Sequence, residues 1–135
     1  MALKSFKPYT KSTRSTILVD RSDLWKGKPE KSLTKFKKRA VGRNNQGRIT
    51  TRHKMMGHKK RYRLIDFKRS KNDIPAEVKR FEYDPFRSAN IMLIEYQDKV
   101  LSYVLGVEGL KIGDKVVSGD KTEVQKGNSM MLKNI

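Results

Sequence analysis

The amino-acid sequence predicts an all-β protein: a small five-stranded barrel behind a long basic N-terminal extension. Two observations carry this. Beyond about residue 60 the chain falls into five short β-rich runs separated by turn residues. Before that point it is dense in Lys and Arg and shows no sustained apolar period.

The charge is the first constraint. The 135 residues suffice for one domain with a modest core. They carry 32 Lys and Arg against 14 Asp and Glu, a net charge of +18. Residues 1–60 hold 18 of these cations and 3 of the acids, net +15, while residues 61–135 hold 14 and 11, net +3. Such a surplus becomes favourable against a polyanion, because each neutralised phosphate releases condensed counterions. A membrane surface is the other common polyanion. The sequence has no run of about 18 apolar residues to span one and no long amphipathic helix to lie on one. Cysteine is absent, which excludes disulfides and thiolate metal sites.

In the extension the apolar residues are isolated: Phe6, Ile17-Leu18-Val19, Leu24-Trp25, Leu33 and Phe36. Such a segment buries too little apolar surface to offset its backbone entropy. Residues 1–60 are therefore expected to be an arm that orders on its partner. Met1 to Ser15 are basic, Ser/Thr-containing and free of acid, a composition shared by transit peptides and nucleic-acid-binding arms.

The balanced segment supplies the strands. Tyr62 to Phe67 is rich in β-formers and alternates loosely. Asn72-Asp73 signals a turn. Ala76, Val78, Phe81 and Tyr83 make a second strand whose phase slips once, as at a bulge, before Asp84-Pro85 ends it. Ile91-Met92-Leu93-Ile94 suits a strand buried on both faces. Gln97-Asp98 turns the chain, Val100 to Leu105 returns, and Gly109 to Asp114 leads into Lys115 to Ser118. The OB-fold is the commonest five-stranded closed barrel. Ile91, Leu93, Val104 and Val116 are the expected core. The expected division is residues 1–60 for the extension, 61–125 for the barrel and 126–135 for the start of a linker.

The most informative stretch is Val41 to Arg69. Its cations are Arg43, Arg48, Arg52, Lys54, Lys59, Lys60, Arg61, Arg63, Lys68 and Arg69, interleaved with Asn44, Asn45, Gln46, Thr50, Thr51, His53 and His58. Arg forks bind phosphates in pairs and stack on bases. Asn, Gln and Thr reach base edges and 2′-hydroxyls. Gly42, Gly47 and Gly57 let backbone N–H groups approach phosphate closely. His53 and His58 make a poor cation site among so many positive charges, and structural zinc wants four suitable ligands. They are expected to touch phosphate or stack on a base. Met55 and Met56 are expected to pack beneath the barrel or against the arm, filling irregular gaps; the alternative is a wedge against an exposed base. No phosphate-binding glycine loop, metal-ligand set or nucleophile–base pair stands out, so neither enzymatic activity nor a cofactor is expected.

These motifs resemble a known family. Arg43-Asn44-Asn45, Gly47 to His53, Gly57-His58-Lys59, Tyr62-Arg63 and Ile65 to Arg69 look like the signature of the large-subunit ribosomal protein L2 family. The likeness continues through Ile74-Pro75-Ala76, Glu82 to Pro85, Arg87 to Ile91, Gly109-Leu110-Lys111, Gly113-Asp114, Gly127-Asn128 and Asn134-Ile135. Lys7-Pro8, Trp25 to Pro29 and Leu33 also match, which favours the arm reading of the N-terminus. Leu24-Trp25 is similar to the form found in alphaproteobacteria and mitochondria.

The resemblance implies an OB-fold barrel followed by an SH3-like one. It implies binding of large-subunit rRNA near the peptidyl-transferase region, with support for subunit assembly and translation, alongside other ribosomal proteins. It places the rRNA contacts on Arg43, Asn44, Asn45, Arg48, Thr50, Thr51, Arg52, His53, His58, Lys59, Tyr62, Arg63, Lys68 and Arg69. A free-standing single-strand chaperone is the alternative. It needs exposed stacking platforms among Tyr62, Phe67, Phe81, Tyr83, Tyr96 and Tyr103, which are more simply core. Two departures stand out. The family carries three glycines before His58, where this chain has Met55, Met56 and Gly57. The family is also about twice as long, which raises the expectation that a separate chain carries the C-terminal half, in a mitochondrial ribosome or, alternatively, in bacterial cytoplasm.

Overall fold

The computed structural model describes residues 3–37, 41–55 and 57–135. They form an all-β architecture with little helix. The strands are β1 (Leu3–Ser5), β2 (Ile17–Val19), β3 (Thr34–Lys35), β4 (Tyr62–Arg63), β5 (Ala76–Glu82), β6 (Ile91–Tyr96), β7 (Leu101–Leu105) and β8 (Lys115–Val116). One four-residue helix, α1 (Lys11–Arg14), lies between β1 and β2. It is closed by a capping box between Thr10 and Thr13.

The main sheet has four antiparallel strands in the order β7-β6-β5-β8. A register shift between Val78 and Arg80 bends β5 as a bulge does, which is the phase slip read from the sequence. β6 is the centre of the core. Its residues Ile91, Met92, Leu93 and Ile94 are all buried, and alternate side chains enter two clusters. Met92 and Ile94 join Ala76, Val78, Tyr96, Val104 and Val116. Ile91 and Leu93 join Tyr103 on the opposite face, where Leu33, Ile65 and Leu101 pack against them. The four expected core residues are all buried.

The first expected strand, Tyr62 to Phe67, is mostly not a strand. β4 keeps only Tyr62 and Arg63 and pairs with β3 rather than with the main sheet. Beyond it the backbone divides its hydrogen bonds: Leu64 N–H donates to the Leu33 carbonyl and Asp66 N–H to the Tyr103 carbonyl. A parallel bridge between Ile65 and Tyr103 is its remaining ladder contact with β7. Serving two partners in turn prevents a continuous ladder with either.

The extension is not uniform. β1 pairs with β2, and every residue of both strands is exposed. Residues 24–35, by contrast, are tied to the main sheet. Trp25 N–H donates to the Phe81 carbonyl at 2.8 Å, and Glu30 N–H donates to the Tyr103 hydroxyl at 2.9 Å. Tyr103 in turn donates its single proton to the Glu82 carboxylate, 2.9 Å from both oxygens. Glu82 is only 3% exposed and is paired with the Arg80 guanidinium at 2.8 Å, which lies over the Trp25 ring. Burial pushes the Tyr103 phenol above its ordinary value, so it stays a donor at neutral pH. Burial is the largest influence on the Arg80 guanidinium and works against its charge. The Glu82 hydrogen bond and charge together with Tyr103 more than offset it, so the guanidinium is held above its ordinary value.

Two substitutions test this core. Leu93→Ala is expected to cost about 2–5 kcal/mol in urea unfolding, from lost transfer energy plus a cavity. Tyr103→Phe is expected to cost about 1.5–3 kcal/mol, because the bond it removes ends on a charged group. It should also release protection of the Glu30 amide in hydrogen exchange.

Candidate nucleic-acid interface

Between Glu30 and Asp66 the sequence contains 13 Lys and Arg and no acid. Its centre, residues 41–55, doubles back on itself. The Gly42 carbonyl accepts from Thr50 N–H at 2.8 Å and Thr51 N–H at 3.1 Å, and Arg43 bridges Ile49. Gly42 has φ +69°, and a Cβ there would overlap the Thr51 carbonyl, so only glycine permits this neck. At the tip Asn44 holds the turn: its side-chain oxygen accepts from Gln46 N–H at 3.0 Å and Arg48 N–H at 2.9 Å. His53 takes a left-handed conformation, φ +57°.

This fold turns the loop's side chains outward. Every residue from Arg43 to Met55 is exposed. Among the described residues, none of Arg43, Arg48, Arg52, Lys54, Lys59 or Lys60 forms an ion pair. The ion pairs among the described residues belong to Lys71, Lys79, Arg80 and Arg87. Arg43, Arg52, His53 and Lys54 gather around one open hollow of about 580 Å³. Unpaired cations converging on a carboxylate-free hollow suit an anionic ligand.

The other expected contact residues divide by environment. Asn45 and Lys68 are exposed. His58 is exposed too, and its Nδ1 lies 3.1 Å from the Lys59 carbonyl. A carbonyl can only accept, so this nitrogen carries the proton that makes the bond. Tyr62 is half-buried and meets the Phe86 ring edge-on at 5.4 Å. Arg63 donates to the Arg61 carbonyl. Arg69 is a strut: its guanidinium donates to the Gly127 carbonyl at 2.5 Å and its N–H to Asp66 at 2.9 Å. Asn44 and Arg69 thus build the site's framework, a role sequence spacing did not reveal. Ile49, 65% exposed, lines the hollow and was missed, since an apolar loop residue ordinarily reads as buried.

The expected packing of Met55 is corrected. The residue is 90% exposed, because it stands at the edge of the hollow, away from both core clusters. Met56 lies outside the described residues. Of the possible stacking platforms, Tyr96 and Tyr103 are buried and Phe81 packs on the core. Tyr83 is covered by Arg21 at 3.7 Å, and Phe67 is 68% exposed. Among the described residues no group of three or more His, Cys, Asp or Glu is placed to hold a metal ion. Among the described residues no helix is long and apolar enough to cross a membrane.

Fold and loop define a class: a small all-β domain carrying a long cationic loop without carboxylates. The chain belongs to the L2 family of ribosomal proteins, since its residues 30–118 match the family described as Ribosomal Proteins L2, RNA binding N-terminal domain. Its relatives include the large ribosomal subunit protein uL2 of Granulibacter bethesdensis, 58% identical over 132 residues, and that of Rhodospirillum centenum, 58% identical over 136. The uL2 of Pelagibacter ubique is 55% identical over 136 residues. These alignments cover 98–100% of this chain but 48–50% of each relative. The chain spans about half the length of the curated relatives it matches.

The strut gives a direct test. Arg69→Ala is expected to lower stability by about 1.5–3 kcal/mol through loss of a charge-assisted bond, with reduced amide protection around Gly127. Lys68→Ala, at an exposed neighbour, should stay within about 0.5 kcal/mol of the parent.

Proposed function

We propose that this chain is a structural, non-catalytic constituent of the large ribosomal subunit, binding large-subunit rRNA near the peptidyl-transferase region. The observation that carries this is the exposed loop of residues 43–55, continued by 57–60, whose cations have no carboxylate partners among the described residues. The family description and the names of the relatives give the polyanion its identity as RNA. Within the loop, Arg43, Asn45, Arg48, Thr50, Thr51, Arg52 and His53 are the contact residues, continued by His58, Lys59, Tyr62, Arg63 and Lys68. Asn44 and Arg69 act chiefly by holding them in place.

The four-stranded sheet is read as an OB-type barrel whose first strand is shortened to Tyr62–Arg63 and the Ile65 bridge. Residues 1–60 form the RNA-binding extension, with 24–35 already docked, residues 61–125 the barrel, and 126–135 the start of a linker. The partners are rRNA, neighbouring ribosomal proteins and the family's C-terminal half. The setting is a bacterial-type ribosome. The relatives named are bacterial, and the mitochondrial alternative rests on the Leu24-Trp25 resemblance and on the expectation of a divided protein.

Arg48→Ala and Arg52→Ala are each expected to weaken binding to a large-subunit rRNA fragment by about 1–3 kcal/mol. The slope of log affinity against log salt should fall by about one for each phosphate no longer neutralised. The unfolding midpoint should not move. Unchanged affinity and unchanged incorporation into large subunits for the double variant would remove the loop as the main RNA-binding element.

A further inference from the structure

The hollow beside the loop has a mixed lining. Arg43, Arg52, His53 and Lys54 supply its polar side, and Ile49 and Met55 its apolar side. Both apolar side chains are more than half exposed, Met55 at 90%. Both remain largely open to solvent, and neither belongs to a core cluster. Its volume of about 580 Å³ falls in the range of roughly 300–1,000 Å³ typical of small-ligand sites. Three other hollows on the molecule each include a carboxylate: Glu77 and Glu95, Asp66, or Asp23. This one has none.

Phosphate contacts alone give no reason to place exposed methionine and isoleucine among four polar or cationic groups. A base inside a helix offers a protein only its edges, because both faces are stacked. An unpaired base offers a face, and its flanking phosphates remain within reach of the surrounding cations. A thioether suits such a partner, since sulfur makes favourable contact with aromatic rings and the side chain adapts its shape. Unbranched and branched apolar residues serve as wedges against bases elsewhere.

We propose that this hollow receives a single unpaired RNA base, held between Ile49 and Met55, with the adjacent phosphates bound by Arg43, Arg52 and Lys54. The inference rests on the RNA-binding reading above and sharpens it. The loop reads a bulged or looped-out nucleotide, not only a phosphate track. The chemistry needed for the face contact comes from Met55, a residue outside the set expected to touch RNA.

The test compares two short RNA hairpins that differ by one unpaired adenine, replaced for fluorescence by 2-aminopurine, at low salt. The full chain should bind the bulged hairpin more tightly, with a change in 2-aminopurine emission. Met55→Ala should weaken binding to the bulged hairpin roughly tenfold, within the range one stacked base contributes, and leave the paired one unaffected. Arg52→Ala should weaken both. Because Met55 is exposed, its replacement leaves the fold intact, checked by an unchanged urea midpoint. Equal affinity for the two hairpins, or an equal effect of Met55→Ala on both, overturns the base site and leaves the RNA reading standing. Binding to neither hairpin overturns both. Met55-dependent binding to phosphatidylglycerol vesicles, without discrimination between the hairpins, assigns the apolar lining to lipid and overturns the proposal.

Discussion

Everything in this structure depends on β6 being apolar on both faces. A strand with Ile91, Met92, Leu93 and Ile94 in succession cannot leave either side to water, so each side must find its own cover. The sheet itself supplies one cover, through β5, β7 and β8 and the residues Val78, Val104 and Val116. The other is shared between Tyr103 and Leu101 of β7 and residues from outside the sheet. Leu33 and Ile65 close it, and they lie on either side of the cationic loop in sequence. The loop is therefore anchored at both ends by the same hydrophobic face. Its exposed, self-repelling tip depends on a core it does not join.

The buried Glu82 refines that anchoring. An ionised carboxylate at 3% exposure is unfavourable without partners, and it has two, the Arg80 guanidinium and the Tyr103 hydroxyl. Tyr103 uses its remaining acceptor capacity on Glu30 N–H. A charge-centred network is directional where apolar packing is not. It fixes the path of residues 24–35 across the sheet and hence the entry of the chain into the loop. Trp25, half-exposed with Arg80 over its ring, extends the same arrangement to the surface.

Much of this was legible in the sequence, for reasons that differ by element. The two-sided burial of Ile91 to Ile94 follows from an uninterrupted apolar run of strand length. The bulge in β5 follows from a break in alternation between Val78 and Phe81. Both are properties of neighbouring residues. The shortened first strand was not legible, because Leu64 and Asp66 bond to Leu33 and Tyr103, partners distant in sequence. The docking of residues 24–35 was missed for the same reason: Glu30 and Tyr103 are 73 positions apart. In the loop, composition revealed the cations, but it did not separate Arg69, which holds Gly127, from Lys68, which is exposed. Met55 was misread because apolar character was taken to mean burial, and the residue sits where no core is within reach.

The loop's three glycines differ in what they permit. At Gly42 any side chain would meet the Thr51 carbonyl, whereas the spaces beside Gly47 and Gly57 are open. The neck thus has no room for a side chain, while the outer positions resist substitution only through their positive φ. A loop built this way can keep one fixed geometry and still vary the chemistry it displays. Methionine at position 55, 90% exposed at the rim, is a side chain of that kind, displayed outward while the Gly42 neck beneath it keeps its geometry. Diversification in such a loop should be graded, rare at its base and frequent at its rim.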